Sequence, residues 1–259
     1  MGRSLNFEDL REYIPGDSIR DIDWKASSRS KSLLVKRYVA EKKHNVLFVF
    51  DTGAKMSADT ALGNSKKETA LYSMGTASYL AYKNGDTVGA IYNNDGMMKY
   101  YPFKSGLLNI ENILANIDKD MCEGTSSNLE KSLNYIINNF RRKMIIFIIT
   151  DMRGINSISE AVIKRLVCRH DVLVMNMGDA PVTGKGASFN VEGNTYVPSF
   201  IRNNKNLMKL EAKHLQEIRE ANTKKLLKHG IMETEINDKS EIVEKFIDLL
   251  ERQKNANLR

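Results

Sequence analysis

Two aspartates with the same local context are the strongest candidates for chemistry in this chain. Asp51 directly follows the apolar run of residues 46–50, and Asp151 follows Thr150 and the apolar run of residues 144–149. Short runs that are apolar throughout are typical of strands buried on both faces of a parallel sheet. In open α/β sheets, ligands bind outside the carboxyl ends of such strands. If the two strands are neighbours, the two carboxylates lie at one edge of the sheet.

A third oxygen-bearing residue, Thr125, lies in the loop of residues 124–126, before a predicted helix that begins near residue 127. Carboxylates and hydroxyls together form the oxygen set that a hard cation such as Mg²⁺ prefers. The arrangement resembles the metal-ion-dependent adhesion site of von Willebrand factor A domains, which reads Asp-x-Ser-x-Ser, then Thr, then Asp. Asp51, Thr125 and Asp151 match the Asp, Thr and Asp of that motif. Gly53 and Lys55 stand where the two serines are expected, so the predicted metal site is degenerate.

The lysine at position 55 allows three interpretations of this edge. In the first, the Lys55 ammonium takes the place of the metal and neutralises the carboxylates, since an unpaired buried carboxylate pair is costly. In the second, Lys55 points to solvent and Asp51 and Asp151 only cap helices or bond loop amides. In the third, Mg²⁺ binds weakly despite the missing serines. We therefore expect either no cofactor or weakly bound Mg²⁺.

The triplet Asp51-Thr52-Gly53 also matches the active-site triplet of aspartic proteases. Those enzymes need two carboxylates that share a proton, one from each of two similar lobes or subunits, on an almost entirely β scaffold. This chain holds one such triplet, and helical periodicity follows it. The sequence therefore argues against a protease.

The elements around these residues alternate between short β-rich runs and helical periodicities, a pattern typical of a mostly parallel sheet flanked by helices. Helices are predicted near residues 65–83, 107–117, 157–168 and 207–229, one begins at a capping box of residues 127–130, and another follows a capping sequence at residues 238–241. Strands are predicted near residues 33–39, 46–50, 144–149, 172–177 and 231–236. Residues 87–92 and 97–103 flank Asn94-Asp95-Gly96, which predicts an antiparallel hairpin at one sheet edge.

Composition fits a compact body with no membrane segment. The 42% hydrophobic content of the 259 residues supplies a core, and the longest apolar run is too short to cross a bilayer. Cys122 and Cys168 lie in no disulfide or zinc pattern, which fits a reducing compartment. The net charge of +7 is spread along the chain, which favours a solvated surface over a dedicated binding face.

The first 44 residues differ from the rest, because they are dense in charges and hold a Pro-Gly turn and the only Trp. Such a segment predicts an ordered loop held by Arg–carboxylate pairs, with Trp24 as its apolar anchor. It contains Arg-x-Tyr-x-Pro-Gly-Asp at residues 11–17, Arg-x-Ile-Asp-Trp at residues 20–24 and then Arg29. These motifs resemble the signature of the bacterial domain-of-unknown-function family 58, from about residue 7 to residue 51. The signature falls on Arg11, Tyr13, Pro15, Gly16, Asp17, Arg20, Asp23, Trp24 and Arg29.

The resemblance implies a fold and a setting. The fold is a Rossmann-like, three-layer α/β fold of the von Willebrand factor A type, with a mostly parallel sheet and an antiparallel hairpin edge. Residues 1–44 are then the signature segment packed on the body, and residues 45–259 are the A-type domain, with an excursion at about 178–206. Members are commonly encoded beside MoxR-type AAA+ ATPases and usually carry membrane helices ahead of this segment. The resemblance therefore implies a cytoplasmic chain, or the soluble part of a membrane-anchored protein.

The leading functional prediction is a non-catalytic interaction module that engages a MoxR-type ATPase or an unidentified client protein in the assembly or maturation of other proteins. The alternative is a metal-dependent hydrolase or phosphotransferase that uses Asp51 and Asp151. It is less favoured because Gly53 occupies the place of a second phosphotransfer Asp, and neither a catalytic triad nor a phosphate-binding loop is present. A third reading, nucleic-acid binding, rests on basic residues near two aromatic side chains. These residues are Arg20, Lys25, Arg29, Lys31, Lys36, Arg37, Tyr13 and Trp24.

Overall fold

The computed structural model describes residues 5–40, 43–60, 62–122, 125–183, 189–190 and 195–257. The chain divides into two compact units, residues 1–43 and residues 44–259. In the smaller unit, strands β1 (Leu5–Glu12) and β2 (Leu34–Ala40) pair antiparallel, and the short helix α1 (Trp24–Ser27) lies between them in sequence. Strand β1 has no counterpart among the predicted elements, because its acidic residues mask the alternation that marks a strand.

The larger unit is built on one sheet of six strands among the described residues. The strands are β3 (Asn45–Phe50), β4 (Thr87–Asn94), β5 (Met97–Lys104), β6 (Ile145–Asp151), β7 (Asp171–Met177) and β10 (Met232–Ile236). Their order across the sheet is β10-β7-β6-β3-β4-β5, and every neighbouring pair is parallel except β4 and β5. Asp95 and Gly96 form the hairpin turn, both at positive φ, as a two-residue turn of this kind requires. The predicted α/β fold class and its hairpin edge are confirmed.

The helices cover both faces of this sheet. They are α2 (Lys66–Lys83), α3 (Leu107–Asp120), α4 (Leu129–Asn139), α5 (Met152–Ser157), α6 (Glu160–Val167), α7 (Ser199–Arg202), α8 (Lys205–Lys228) and α9 (Ile242–Asn257). One core contains side chains of α2, α3 and α9, and the other contains side chains of α4, α6 and the end of α8. Strand β3 contributes side chains to both cores, with Phe48 in the first and Leu47 in the second. This alternation gives the larger unit three layers.

Several predicted helix boundaries differ from the structure. The helix predicted at residues 157–168 is α6, and a short helix that the sequence did not predict, α5, precedes it and begins directly after Asp151. The capping residue of α4 is Asn128, whose side chain accepts from the Lys131 N–H, and not Ser127 as the capping box predicted. The capping box at residues 238–241 is present and precedes α9.

The excursion predicted at about residues 178–206 contains two short strands, β8 (Phe189–Asn190) and β9 (Thr195–Tyr196), which pair antiparallel. The sequence pattern predicts two short β-like pieces around residues 191–194, and β8 and β9 lie on either side of those four residues, which are outside the described part of the chain. Helix α7 and the start of α8 follow. Within the described residues, no helix combines the length and apolar character needed to cross a membrane.

Candidate functional site

The two aspartates singled out by the sequence lie side by side at the carboxyl edge of the sheet. Strands β3 and β6 are parallel neighbours with Phe50 opposite Ile149, and the Asp51 N–H donates to the Ile149 carbonyl at 3.0 Å. The chain leaves β3 for helix α2 on one face and leaves β6 for helices on the other face, so the two aspartates flank a topological switch point.

The Asp51 carboxylate is enclosed, with 1% of the residue exposed. Its Oδ1 accepts from the Gly53 N–H at 3.1 Å, and its Oδ2 accepts from the Thr150 hydroxyl at 2.7 Å. The Lys55 Nζ lies 3.2 Å from the same Oδ2. Both carboxylate oxygens therefore already have donors from the chain itself.

Asp151 is fully buried and has donors on both oxygens. Its Oδ1 caps α5 by accepting from the Gly154 N–H at 2.8 Å and lies 3.6 Å from the Lys55 Nζ. Its Oδ2 lies 3.3 Å from the Nζ of a second lysine, Lys66. Gly154 has to lack a side chain here, because a Cβ would sit 1.9 Å from the Thr150 Oγ1 and 2.8 Å from the Asp51 Oδ2. The tight turn into α5 thus holds the two carboxylates together.

The Lys55 ammonium bridges the two aspartates, and 22% of its side chain is exposed. Burial lowers the pKa of Lys55, but the Asp51 and Asp151 carboxylates outweigh it and hold that pKa above its usual value. Lys55 is therefore a fixed positive charge at neutral pH. The Lys55 ammonium therefore lies against the two carboxylates rather than pointing to solvent.

Sequence reasoning missed two members of this edge, Lys66 and Asp179. Lys66 is the first residue of α2, its side chain is only 2% exposed, and its Nζ also pairs closely with the Asp179 carboxylate. A signal existed for each residue. Asp179 stands two residues beyond β7, the next strand along, as Asp51 and Asp151 follow their own strands. A lysine in the first turn of a helix is unfavourable, because its charge lies at the positive end of the helix dipole. Its presence at position 66 therefore indicates a nearby negative partner.

Together these side chains form a lysine–aspartate cluster, composed of Asp51, Asp151, Asp179, Lys55 and Lys66. Its three carboxylates and two ammonium groups leave one excess negative charge. Burial raises the pKa of Asp151, but Lys66 and Lys55 outweigh burial and hold that pKa below its usual value. At Asp179, burial outweighs the attraction of Lys66, and repulsion by Asp151 adds to it, so the pKa of Asp179 is raised. Asp179 therefore takes up a proton more readily than Asp151 as the pH falls.

Thr125, the third predicted ligand, lies beside the cluster but its hydroxyl is directed elsewhere. The Thr125 Oγ1 donates toward the carbonyls of Thr52 and Cys122, both at 2.8 Å, and its own carbonyl accepts from the Ala54 N–H. Ser127 places its Oγ 3.4 Å from the Thr52 N–H. This loop therefore braces the backbone after β3. Its neighbour residue 124 lies outside the described residues.

These residues do not fit a divalent cation. Mg²⁺ needs free oxygen ligands in near-octahedral geometry, whereas two ammonium groups and two N–H groups already lie on the oxygens of Asp51 and Asp151. Gly53 offers no side-chain oxygen, and Thr125 is turned to carbonyls. In the part of the chain that the structure describes, no group of three or more His, Cys, Asp or Glu side chains is placed to hold a metal ion.

The signature residues of the smaller unit divide into two groups. Arg11 and Asp17 form an ion pair at 2.6 Å, and Asp17 also accepts from the Ile14 N–H at 2.9 Å. Asp23 caps α1 by accepting from the Ala26 N–H. The expected Arg–carboxylate pairing is thus present, and the guanidinium of Arg11 helps to hold the pKa of Asp17 below its usual value.

The other signature residues are exposed or contribute backbone geometry. Gly16 has a φ of 111°, the Tyr13 N–H donates to the Leu33 carbonyl, and the Arg29 N–H donates to the Ala26 carbonyl. Pro15, Arg20 and Arg29 have exposed side chains. Trp24 is 63% exposed, whereas Ile22 and Val35 are buried.

A family model described as "Protein of unknown function DUF58" matches residues 9–187. Similar curated proteins include the uncharacterized protein Mb1516 of Mycobacterium bovis and the uncharacterized proteins MT1527 and Rv1480 of Mycobacterium tuberculosis. Each is 25% identical to this chain over 172 residues, which cover 65% of this chain and 53% of the relative. The chain thus spans about half the length of the curated relatives it matches.

Solved structures similar to this chain include a von Willebrand factor type A protein from Catenulispora acidiphila and the VWA domain of SpRpn10. The first has a TM-score of 0.45 at 9% identity and covers 86% of this chain and 44% of its own. The second has a TM-score of 0.42 at 8% identity and covers 78% of this chain and 94% of its own. Both TM-scores are below 0.5.

Proposed function

The chain belongs to the DUF58 family of proteins of unknown function, and on that premise we propose that it is a non-catalytic protein-interaction module of the von Willebrand factor A type. In this proposal the metal-ion-dependent adhesion site at the carboxyl edge of the sheet is degenerate, because the ammonium groups of Lys55 and Lys66 take the place of the metal ion. The observation that carries this proposal is the position of the Lys55 Nζ, within 3.6 Å of both Asp51 and Asp151.

A hydrolase or phosphotransferase gains no support from this edge. A nucleophilic carboxylate must reach its substrate, whereas Asp51 is 1% exposed and both of its oxygens have donors. Asp151 is equally enclosed. We therefore assign these carboxylates to holding the edge in one conformation rather than to chemistry.

Because the carboxylates of the cluster are enclosed, a partner protein would contact the exposed side chains around them. Leu62 is 68% exposed in the connection that leads to α2, and Arg153 and Ser126 are exposed beside Asp151 and Thr125. The resemblance to the family supplies the candidate partners, a MoxR-type AAA+ ATPase and the client that it serves. In this proposal the exposed side chains of Leu62, Ser126 and Arg153 form a docking face. The lysine–aspartate cluster fixes the geometry of this face without a metal.

Metal dependence is tested by calorimetric titration of Mg²⁺ and Mn²⁺ into the natural chain and into Lys55→Ser. We expect no binding heat from the natural chain. The variant restores a motif serine and removes one cation, so weak binding is the expected gain, and Lys83→Ser on the exposed part of α2 is the control. Binding by the natural chain that Asp51→Ala abolishes would overturn the lysine stand-in.

The docking face is tested with a purified MoxR-type ATPase, with and without nucleotide, on immobilised chain. We expect binding that Leu62→Asp weakens, while Leu108→Asp on α3, where the leucine is 82% exposed, leaves it unchanged. Absence of binding in every nucleotide state contradicts the ATPase as partner. Equal binding by both variants contradicts the assignment of this face.

A further inference from the structure

A basic cleft of about 390 Å³ lies at the opposite edge of the sheet from the lysine–aspartate cluster. Helix α4 begins beside the cluster, where Ser127 meets Thr52, and its last turn lines the cleft together with the end of α6. The lining residues of this arginine cleft are Ile137, Asn138, Arg141, Arg165, Cys168 and Arg169.

Among the described residues, the three arginines of the cleft have no carboxylate partner. None of them takes part in an ion pair recorded among the described residues, and Arg165 makes one long bond, to the Asn138 Oδ1 at 3.4 Å. The nearest acidic residue in sequence, Asp171, already pairs with Lys143 at 2.9 Å. The lining contains no acidic side chain. Three like charges therefore converge on one concavity without internal compensation.

Neutralisation of helix ends explains only part of this charge. Both α4 and α6 end at the cleft, and the carboxyl end of a helix carries about −0.5 of an elementary charge. Two helix ends thus offset about one of the three guanidinium charges. An uncompensated charge of about +2 remains, which is of the size that one phosphate monoester dianion would balance.

The chemistry of the lining selects the kind of anion. Guanidinium groups present planar forks of N–H donors that match phosphate oxygens, and they keep their charge at any physiological pH. The lining contains no aromatic side chain, so the stacking platform on which single-stranded nucleic acids depend is missing. Ile137 supplies an apolar wall instead. We propose that the arginine cleft binds a phosphate monoester carried by a peptide segment of a partner protein.

The test compares two variants of equal charge. The cleft variant is Arg141→Gln, Arg165→Gln, Arg169→Gln, and the control is Lys131→Gln, Lys164→Gln, Lys209→Gln, which removes three exposed charges outside the cleft. The probe is a fluorescent phosphoserine peptide, measured by anisotropy against its unphosphorylated form. A hydrogen bond to a charged group is worth about 1.5–3 kcal/mol, so we expect at least about tenfold weaker binding from the cleft variant. The control variant should bind as the natural chain does.

The two cysteines provide a second, independent readout. Cys168 lines the cleft, Cys122 lies elsewhere, and both thiols are exposed. The phosphopeptide should slow alkylation of Cys168 in the natural chain and leave the rate at Cys122 unchanged. Inorganic phosphate at the same concentration separates the two sources of the anion: weaker protection than the peptide gives supports a peptide-borne ligand.

Four results would overturn the proposal. The first is no preference of the natural chain for the phosphorylated peptide. The second is an equal loss of binding in the cleft and control variants, which would indicate attraction to the net charge of +7. The third is protection of Cys168 by inorganic phosphate as strong as by the peptide. The fourth is displacement of the peptide by single-stranded DNA that binds more tightly and depends on the same arginines.

Discussion

Positive charge is handled in opposite ways at the two edges of this sheet. In the lysine–aspartate cluster, Lys55 and Lys66 lie within 3.6 Å of buried carboxylates, and little of either side chain is exposed. In the arginine cleft, three exposed guanidinium groups converge on a concavity that has no acid in its lining. A buried charge has to be neutralised inside the protein, whereas an exposed charge is left available for a partner. The first edge therefore contributes to stability, and the second to binding.

The largest effect is expected from removing the carboxylate at the centre of the lysine–aspartate cluster. Asp151→Asn removes the fully buried carboxylate that contacts both ammonium groups, and it leaves Lys55 with Asp51 and Lys66 with Asp179 as their remaining carboxylates. Breaking a buried ion pair by removing one partner costs about 3–5 kcal/mol, and we expect a loss of that size in the free energy of unfolding. Urea denaturation measures it. The matched control is Asp171→Asn, whose carboxylate is 31% exposed and should cost less than about 1 kcal/mol.

Replacing Lys66 should lower the free energy of unfolding more than replacing Lys55, because the Lys66 side chain is more deeply buried. We expect Lys66→Met to lower the free energy of unfolding by about 2 kcal/mol, because Asp151 keeps Lys55 but Asp179 loses its cation. Lys55→Met should cost about half as much, because its ammonium is already 22% exposed to water. Denaturation of both variants beside Lys83→Met provides the ranking. A larger loss for Lys55 than for Lys66 would contradict the assignment of Lys66 as the buried counter-ion.

Acid should act on the cluster in two steps of opposite sign. The folded-state pKa of Asp179 is raised above the ordinary 3.8, so its charge disfavours folding at neutral pH, and protonation as the pH falls through that pKa adds stability. The pKa of Asp151 is lowered, so its contribution is complete above about pH 4 and is lost as the pH falls through the folded value.

Thermal unfolding between pH 7 and pH 2 in the natural chain and in Asp179→Asn tests these signs. The variant should be at least as stable at pH 7 and should lack the mild gain on acidification. A variant that is strongly destabilised at pH 7 would show that the Asp179 charge is needed to neutralise Lys66.

The smallest effect is expected at the arginine cleft. The triple variant Arg141→Gln, Arg165→Gln, Arg169→Gln removes exposed charges that repel one another, so the free energy of unfolding should change by less than about 0.5 kcal/mol. Urea denaturation at low and at high salt provides the comparison. A loss of several kcal/mol would place these arginines with the structural charges of the other edge.

Much of the fold could be predicted from the sequence, because its signals are local. The apolar runs before Asp51 and Asp151 indicated buried parallel strands, and Asn94-Asp95-Gly96 indicated the hairpin; all are present. Errors arose where a local rule had competitors. Ser127 fits a capping box, yet its hydroxyl lies by the Thr52 N–H and Asn128 caps the helix. In the last helix, α9, the apolar pattern predicts a buried face of Ile242, Val243, Phe246, Ile247 and Leu250. Ile242 and Phe246 are buried together with Leu249, but Val243, Ile247 and Leu250 are exposed.

The sequence by itself determined where the candidate site lies, since a carboxylate after each of two buried strands has to appear at the carboxyl edge of their sheet. It also contained Lys55 four residues after Asp51, within reach along one local turn. Only the tertiary structure decided that Lys66 and Asp179 complete the cluster. Their contacts join residues 85 and 113 positions apart, Lys66 with Asp151 and Lys66 with Asp179. The approach of such distant groups depends on how helices and strands pack, which local patterns of residue types do not encode.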